Sequence, residues 1–159
     1  MLIEKAKSLA ANISPWFEAC ISAAEARLLL SQGNNRAALQ WRRIHQPIGD
    51  RQLRYHLMEF YIAYVRVLIA TATDDNLSGH FEEAKELLER LQAISEEIGA
   101  NGYLLEIKIL QAMASLSEDK PKSALYHLKH ALSLAEPEGY VRIFVDEGEP
   151  MAVMLRQAA

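Results

Sequence analysis

A pattern that recurs three times along the chain constrains the fold more than any other feature. A turn-forming residue is followed five positions later by an alanine, at Gly33 and Ala38, Gly79 and Ala84, and Asp119 and Ala124. These alanines are 46 and then 40 residues apart. Small residues at equivalent positions let neighbouring helices pack closely, and stacked helix pairs bury a continuous core. The pattern therefore predicts a helical repeat protein.

Apolar residues at helical spacing support this prediction. Between Pro121 and Glu136 they recur three and four positions apart, at Ala124, Leu125, Leu128, Ala131, Leu132 and Ala135. Residues at this spacing line one face of an amphipathic helix. Ser14 followed by Pro15 is a typical helix start. We predict an all-α fold, a right-handed α-solenoid of about three helix pairs in a single domain over residues 1–159.

The predicted domain has four parts. Residues 1–47 hold the first helix pair together with a short N-terminal helix over residues 2–12. Residues 52–99 form the second pair, and residues 103–136 form the third. Residues 139–159 form a C-terminal cap of short helices. Because a helix shorter than about a dozen residues is marginal in water, we expect the cap to pack against the preceding helices.

One segment carries a resemblance to a known family. The run AEPEGYVRIFVDEGEPMAVML, residues 135–155, closely resembles a hallmark of the MalT-like family, the large ATP-binding LuxR-type transcriptional activators. It lies there near the end of a tetratricopeptide-type repeat region. Residues 26–41, 79–91 and 105–116 agree with the resemblance, although the alanine spacing exceeds the usual tetratricopeptide repeat of about 34 residues.

The resemblance implies a function. The chain is expected to be a fragment of a transcriptional regulator, taken from its sensor region. Such a region binds an inducer or a regulatory protein and relays the event to ATPase and DNA-binding domains that are absent from this chain. The expected partners are a small-molecule inducer or regulatory protein, the neighbouring domains of the parent regulator, and a second copy in a homo-oligomer.

Composition narrows the class of protein further. The formal net charge is -4 and the pI is about 5.7, so we expect no direct contact with nucleic acid. The single cysteine, Cys20, suits a reducing cytoplasm and is more typical of a buried structural thiol than of a reactive one. No signal peptide is visible at the start. Residues 53–72 are largely apolar but contain Arg54, His56, Glu59 and Arg66, so a core helix is favoured over a membrane span.

Residue types that commonly act in catalysis do not occur here at the spacing of a known catalytic motif. No glycine pair has P-loop spacing, and no glutamate is followed three residues later by histidine. His127 and His130 are three apart, but we expect them to face solvent among lysines rather than bind a metal. Nucleophile, base and orienting group cannot be assigned, so we predict that the chain is not an enzyme and needs no cofactor.

A groove along the first helix of each pair is the candidate ligand-binding site. The aligned packed positions are Ala26, Val65 and Ala112, and neighbouring residues on the same helices are expected to line the groove. These residues are Arg27, His56, Glu59, Ile62, Arg66 and Glu106. Mixed charge and apolar surface suits a polar small ligand or a peptide. For Glu59 and Arg66, however, ordinary solvated or salt-bridged surface groups are the favoured interpretation over a binding site.

Two other functions stay open. One alternative is a free-standing tetratricopeptide adaptor that binds peptides or proteins, which a longer parent reading frame with a P-loop upstream and a helix-turn-helix downstream would exclude. The other is an enzyme domain, which would need a deep pocket with convergent titratable groups. Because a short solenoid exposes apolar end faces, homodimerisation is expected in each case.

Overall fold

The computed structural model describes residues 3, 5, 6, 14–46, 53–72 and 79–158. Every regular element within these residues is helical, which confirms the all-α prediction. The helix predicted over residues 2–12 falls largely outside the described residues. The chain divides into two compact units, Met1–Glu83 and Ala84–Ala159. The single-domain prediction, the handedness of the solenoid and its number of repeats stay predictions.

Three helices pack together in the first unit. Helix α1 covers Pro15–Ser31, α2 covers Asn35–Ile44, and a 3-10 turn at Tyr55–Leu57 leads into α3, Met58–Thr71. The predicted start of α1 is confirmed, because the Ser14 hydroxyl accepts the Trp16 backbone N–H at 3.2 Å. Helix α4, Gly79–Glu97, begins in this unit and continues into the second.

Helix α3 is the core of the first unit. Most of its residues are buried, on nearly every side: Met58, Tyr61, Ile62, Ala63, Tyr64, Val65, Val67, Leu68 and Ile69. Ala26 of α1, an aligned packed position, and Ala38 of α2, a repeat alanine, are also completely buried. Trp41 of α2 lies between helices, and its indole N–H donates to the Ser22 hydroxyl at 3.0 Å. A helix that is apolar all round belongs inside a core.

The second unit contains one long helix pair and a cap. After the rest of α4 come α5, Asn101–Ser117, and α6, Pro121–Ala135, which pack against each other. A 3-10 turn, Glu136–Glu138, leads to the short helices α7, Arg142–Val145, and α8, Glu149–Ala158. Three side chains of these short helices are buried in one cluster with α5 and α6: Phe144, Met151 and Met154.

The turns that precede two of the three repeat alanines have the same backbone geometry. Gly33 and Asp119 both adopt positive φ, at 67° and 56°. Each is followed by a backbone N–H that bonds five residues back, from Asn34 to Leu29 and from Lys120 to Ser115. A residue in the left-handed backbone conformation allows this geometry, which is common where a helix ends. Gly79 differs because it is the first residue of α4 itself. The three repeat alanines are nevertheless buried: Ala38, Ala84 and Ala124.

Candidate functional site

Two of the predicted groove residues meet in the first unit. The Arg27 guanidinium on α1 donates to Oε2 of Glu59 on α3 at 3.1 Å. Both side chains are substantially exposed, at 39% and 46%. An exposed pair of this kind contributes at most about 1 kcal/mol to stability. The contact orients both charged groups at the junction of α1 and α3 without stabilising the fold strongly.

The other predicted groove residues have different environments. His56 is exposed in the 3-10 turn, and Arg66 is partly buried on α3. Ile62 is completely buried, so it belongs to the core of the first unit. Glu106 is buried on α5 in the second unit. The structure thus brings Arg27 and Glu59 together and places Ile62 in the core, and the groove as a whole stays a prediction.

Cys20 lies on α1 and is partly buried. Burial raises the pKa of its thiol, and the negative charge of Glu59 raises it further. A raised pKa keeps the sulfur protonated, and the protonated thiol is a poor nucleophile. These two effects disfavour a reactive role for Cys20.

An ionic cluster that sequence reasoning missed joins three helices of the first unit. The Glu83 carboxylate of α4 accepts hydrogen bonds from Arg42 of α2 and from the hydroxyl of Tyr64 of α3. The Arg42 guanidinium also lies 5.5 Å from the centre of the Tyr64 ring. Only 13% of the Arg42 side chain is exposed. A partly buried cluster that satisfies both charges positions helices more than an exposed ion pair does.

The second unit contains a polar cavity of about 280 Å³ lined by α4, α5 and α6. Lys85 and Lys120 both contact Oε1 of Glu118 in its wall, at 2.8 and 3.1 Å. The hydroxyls of Ser115 and Ser123, which also line the cavity, are 3.1 Å apart. Such a volume lies near the lower end of the range for small-molecule sites.

His127 of α6 also lines this cavity. Its Nδ1 is buried and has no hydrogen-bond partner in the described part of the chain. Burial lowers the pKa of the imidazole, and the nearby positive charges of Lys108 and His130 lower it further. The prediction that His127 faces solvent is therefore wrong for this edge of the ring. The signal was present, because His127 is three residues after Ala124 and four before Ala131, on the packed face of α6.

A buried lysine stands next to this cavity. Lys108 of α5 is only 4% exposed. Its ammonium donates to Oε1 of Gln92 at 2.7 Å and to Oε1 of Gln111 at 3.0 Å, and Gln111 itself lines the cavity. Burial lowers the pKa of Lys108, and the charge of Glu96 opposes this shift. Neutral amide oxygens thus provide the direct hydrogen bonds to a buried cation.

An apolar groove of about 700 Å³ lies beside α6 and α7. Tyr140, Val141 and Val145 line it and remain 48%, 68% and 67% exposed. Phe144 and Leu132 contribute to the same lining. Large exposed apolar side chains that share one groove are typical of surfaces that contact another protein.

Two negative findings apply to the described residues alone. Within residues 14–46, 53–72 and 79–158, no group of three or more His, Cys, Asp or Glu side chains is arranged to hold a metal ion. In the same part of the chain, no helix combines the length and apolar character needed to cross a membrane.

The all-helical fold is consistent with tetratricopeptide-like helical repeats. The family model of the MalT-like TPR region matches residues 2–159, and the chain belongs to this family. No curated protein and no solved structure shows a significant match to the chain.

Proposed function

We propose that this chain is the signal-sensing and interaction domain of a MalT-like LuxR-type transcriptional regulator. In this role it binds a small-molecule inducer or a regulatory protein and relays the event to ATPase and DNA-binding domains. The family match across residues 2–159 is the observation that carries the proposal. The domain acts in the cytoplasm by binding and has no catalytic role.

Two kinds of surface support a binding role. The polar cavity of the second unit offers hydrogen-bonding and charged groups for a small molecule. The Arg27–Glu59 pair and the partly buried Arg66 are the part of the predicted groove that a polar ligand would meet in the first unit. A ligand at such a site would contact neighbouring helices and so alter how they pack. Because each helix pair of a repeat protein contacts only its neighbours, the change would pass from one pair to the next. That change in packing is the proposed relay.

The apolar groove beside α6 and α7 suits the second kind of partner, a protein. Five acidic residues and one basic residue lie within residues 136–149, around the exposed Tyr140, Val141 and Val145. The occupant we propose is an amphipathic helix with a basic flank, from a neighbouring domain or a regulatory protein. Its apolar face would cover the groove, and its lysines or arginines would meet the carboxylates.

A thermal-shift screen of the purified chain tests the small-molecule part of the proposal. Sugars, amino acids, nucleotides and aromatic acids form the panel. A ligand at about a hundred times its dissociation constant adds about 2.7 kcal/mol of stability, which is a shift of several degrees. Arg66→Ala should abolish the shift if the ligand binds in the groove. The matched control is Arg156→Ala, which removes an exposed arginine of α8.

The outcomes separate the proposal from the adaptor alternative. A specific hit supports a small-molecule sensor. If the panel is silent, a basic amphipathic helix that binds the wild type but not Val145→Asp supports a sensor of protein partners. A parent reading frame without ATPase and DNA-binding domains would contradict the regulator and favour the adaptor.

A further inference from the structure

Several groups in the lining of the polar cavity can donate hydrogen bonds. His127 Nδ1 is buried without a partner in the described residues, and the hydroxyls of Ser115 and Ser123 line the same space. The buried Lys108 ammonium donates to Gln111, which also lines the cavity. A buried polar atom without a partner costs free energy that a bound ligand can recover. The cavity can therefore hold a group that accepts hydrogen bonds.

The charges around His127 define the sign of that group. Lys108 of α5 and His130 of α6 act on the ring with positive charge, and the charge of Glu96 acts on Lys108. The other charged groups in the cavity wall are Lys85 and Glu89 of α4, and Glu118 and Lys120, which follow α5. Glu118 is already paired with both lysines. The lysines and glutamates of the lining carry two positive and two negative charges, and the Lys108 ammonium, which bonds to Gln111, adds positive charge beside the cavity.

We propose that this cavity binds a small anion, with a carboxylate or phosphate group seated between His127, Ser115 and Ser123. Lys108, which donates to the lining residue Gln111, supplies the compensating positive charge. The volume of about 280 Å³ limits the ligand to a small molecule. The apolar lining by Leu88 and Ala114 would contact its carbon skeleton.

Binding is coupled to the protonation of His127. An anion favours the charged imidazolium, so it raises the pKa of His127, which burial, Lys108 and His130 otherwise lower. The complex therefore takes up a proton, and the affinity increases as the pH falls. Since histidine titrates near neutrality, this coupling operates within the physiological range.

This anion site would be the ligand site of the proposed sensing role. Its biological meaning rests on that role, whereas anion binding itself does not. Anion binding that leaves the output of the full regulator unchanged would overturn the sensing role and leave the site intact. A ligand that binds elsewhere, with no anion bound here, would overturn the site and leave the sensing role intact.

The test uses the whole chain with oxalate and with inorganic phosphate, against potassium chloride at equal ionic strength. Oxalate keeps its charge between about pH 6 and pH 8, so any change in its affinity reports on the protein. Phosphate binding without oxalate binding would identify a phosphate site, and the reverse would identify a carboxylate site. Calorimetry should show saturable binding that weakens severalfold between those two pH values, because burial keeps the pKa of free His127 below its ordinary value and only part of the coupling falls in this range.

Nuclear magnetic resonance of the imidazoles gives a direct readout. On addition of the anion, the pKa of His127 should rise by about one unit or more, equivalent to a factor of ten. The chain has four other histidines, His45, His56, His80 and His130, which serve as internal controls and should shift less. If neither anion binds saturably near pH 6, or if the pKa of His127 does not move, the inference is overturned.

Variants assign the effect to residues. His127→Gln should remove the pH dependence, and Lys108→Gln should weaken binding by at least about tenfold. Lys122→Gln is the matched control, because Lys122 is an exposed lysine on α6 outside the cavity lining. Unchanged affinity in both cavity variants would overturn the inference. If either variant fails to fold, the imidazole titration of the wild type still decides.

Discussion

The hydroxyl of Tyr64 donates a hydrogen bond of 2.9 Å to Oε1 of Glu83. Oε2 of the same carboxylate accepts from Arg42. Burial raises the pKa of Tyr64, and the hydrogen bond and charge of Glu83 raise it further. The phenol therefore stays protonated and remains a donor at neutral pH. One buried hydroxyl thus helps to hold α2, α3 and the start of α4 together.

Replacement of Tyr64 by phenylalanine should destabilise the protein by about 1–3 kcal/mol, because a hydrogen bond to a carboxylate is lost inside the fold. Urea unfolding followed by circular dichroism measures the change. Tyr126→Phe is the matched control, since Tyr126 is 68% exposed and should be nearly neutral. Equal stability of the two variants would show that the Tyr64–Glu83 contact contributes nothing.

Ala124 tests the register of the repeat. It is 1% exposed on α6, within the core cluster of the second unit. Ala124→Leu should cost about 1–3 kcal/mol through overpacking. Ala24→Leu places the same side chain at an exposed position of α1 and should change thermal stability little. If Ala124→Leu is as stable as the wild type, the result would contradict the prediction that Ala38, Ala84 and Ala124 occupy equivalent packed positions of the repeat.

Local patterns predicted the helices well. Ser14 and Pro15 mark the start of α1, and the spacing between Pro121 and Ala135 gives α6 with its bounds. These signals depend on residues within one or two turns of each other, so they can be recognised in a sequence. The cap was predicted for the same reason, from the breaks at Gly139 and Gly148, both of which adopt positive φ.

The candidate sites could be predicted only in part, because periodicity defines a face of a helix and not what that face meets. Ile62 shares a side of α3 with Glu59 and Arg66, yet α3 is apolar nearly all round, so the spacing cannot separate groove from core. The contact between Arg42 and Glu83 spans 41 residues and depends on how helices pack. The buried edge of His127 was missed although Ala124 and Ala131 lie on the same face.

The Arg27–Glu59 pair should contribute little to stability. A double-mutant cycle with Arg27→Ala and Glu59→Ala should give a coupling energy of at most about 1 kcal/mol, because both side chains are well exposed. The coupling should also weaken as salt is added. The Lys85–Glu118 pair, whose glutamate side chain is only 15% exposed, is the control and should couple more strongly. A strong, salt-independent coupling for Arg27 and Glu59 would instead mark a structural ion pair.

Stability should fall as the pH is lowered, because His80 is held neutral. His80 is 6% exposed, its Nδ1 lies 3.0 Å from the Thr71 hydroxyl oxygen, and burial lowers its pKa, helped by Arg42 and opposed by Glu83. The unfolded chain, with an ordinary histidine pKa of about 6.5, then binds more protons than the folded one. The stability that neutral His80 contributes is complete above the pKa of the unfolded chain. It is lost as the pH falls from that pKa towards the lower pKa of the folded state. Melting temperatures across this range should therefore decline less in His80→Gln than in the wild type, whereas His56→Gln, at an exposed position, should keep the wild-type slope. An equal slope in His80→Gln would show that His80 does not carry the pH dependence.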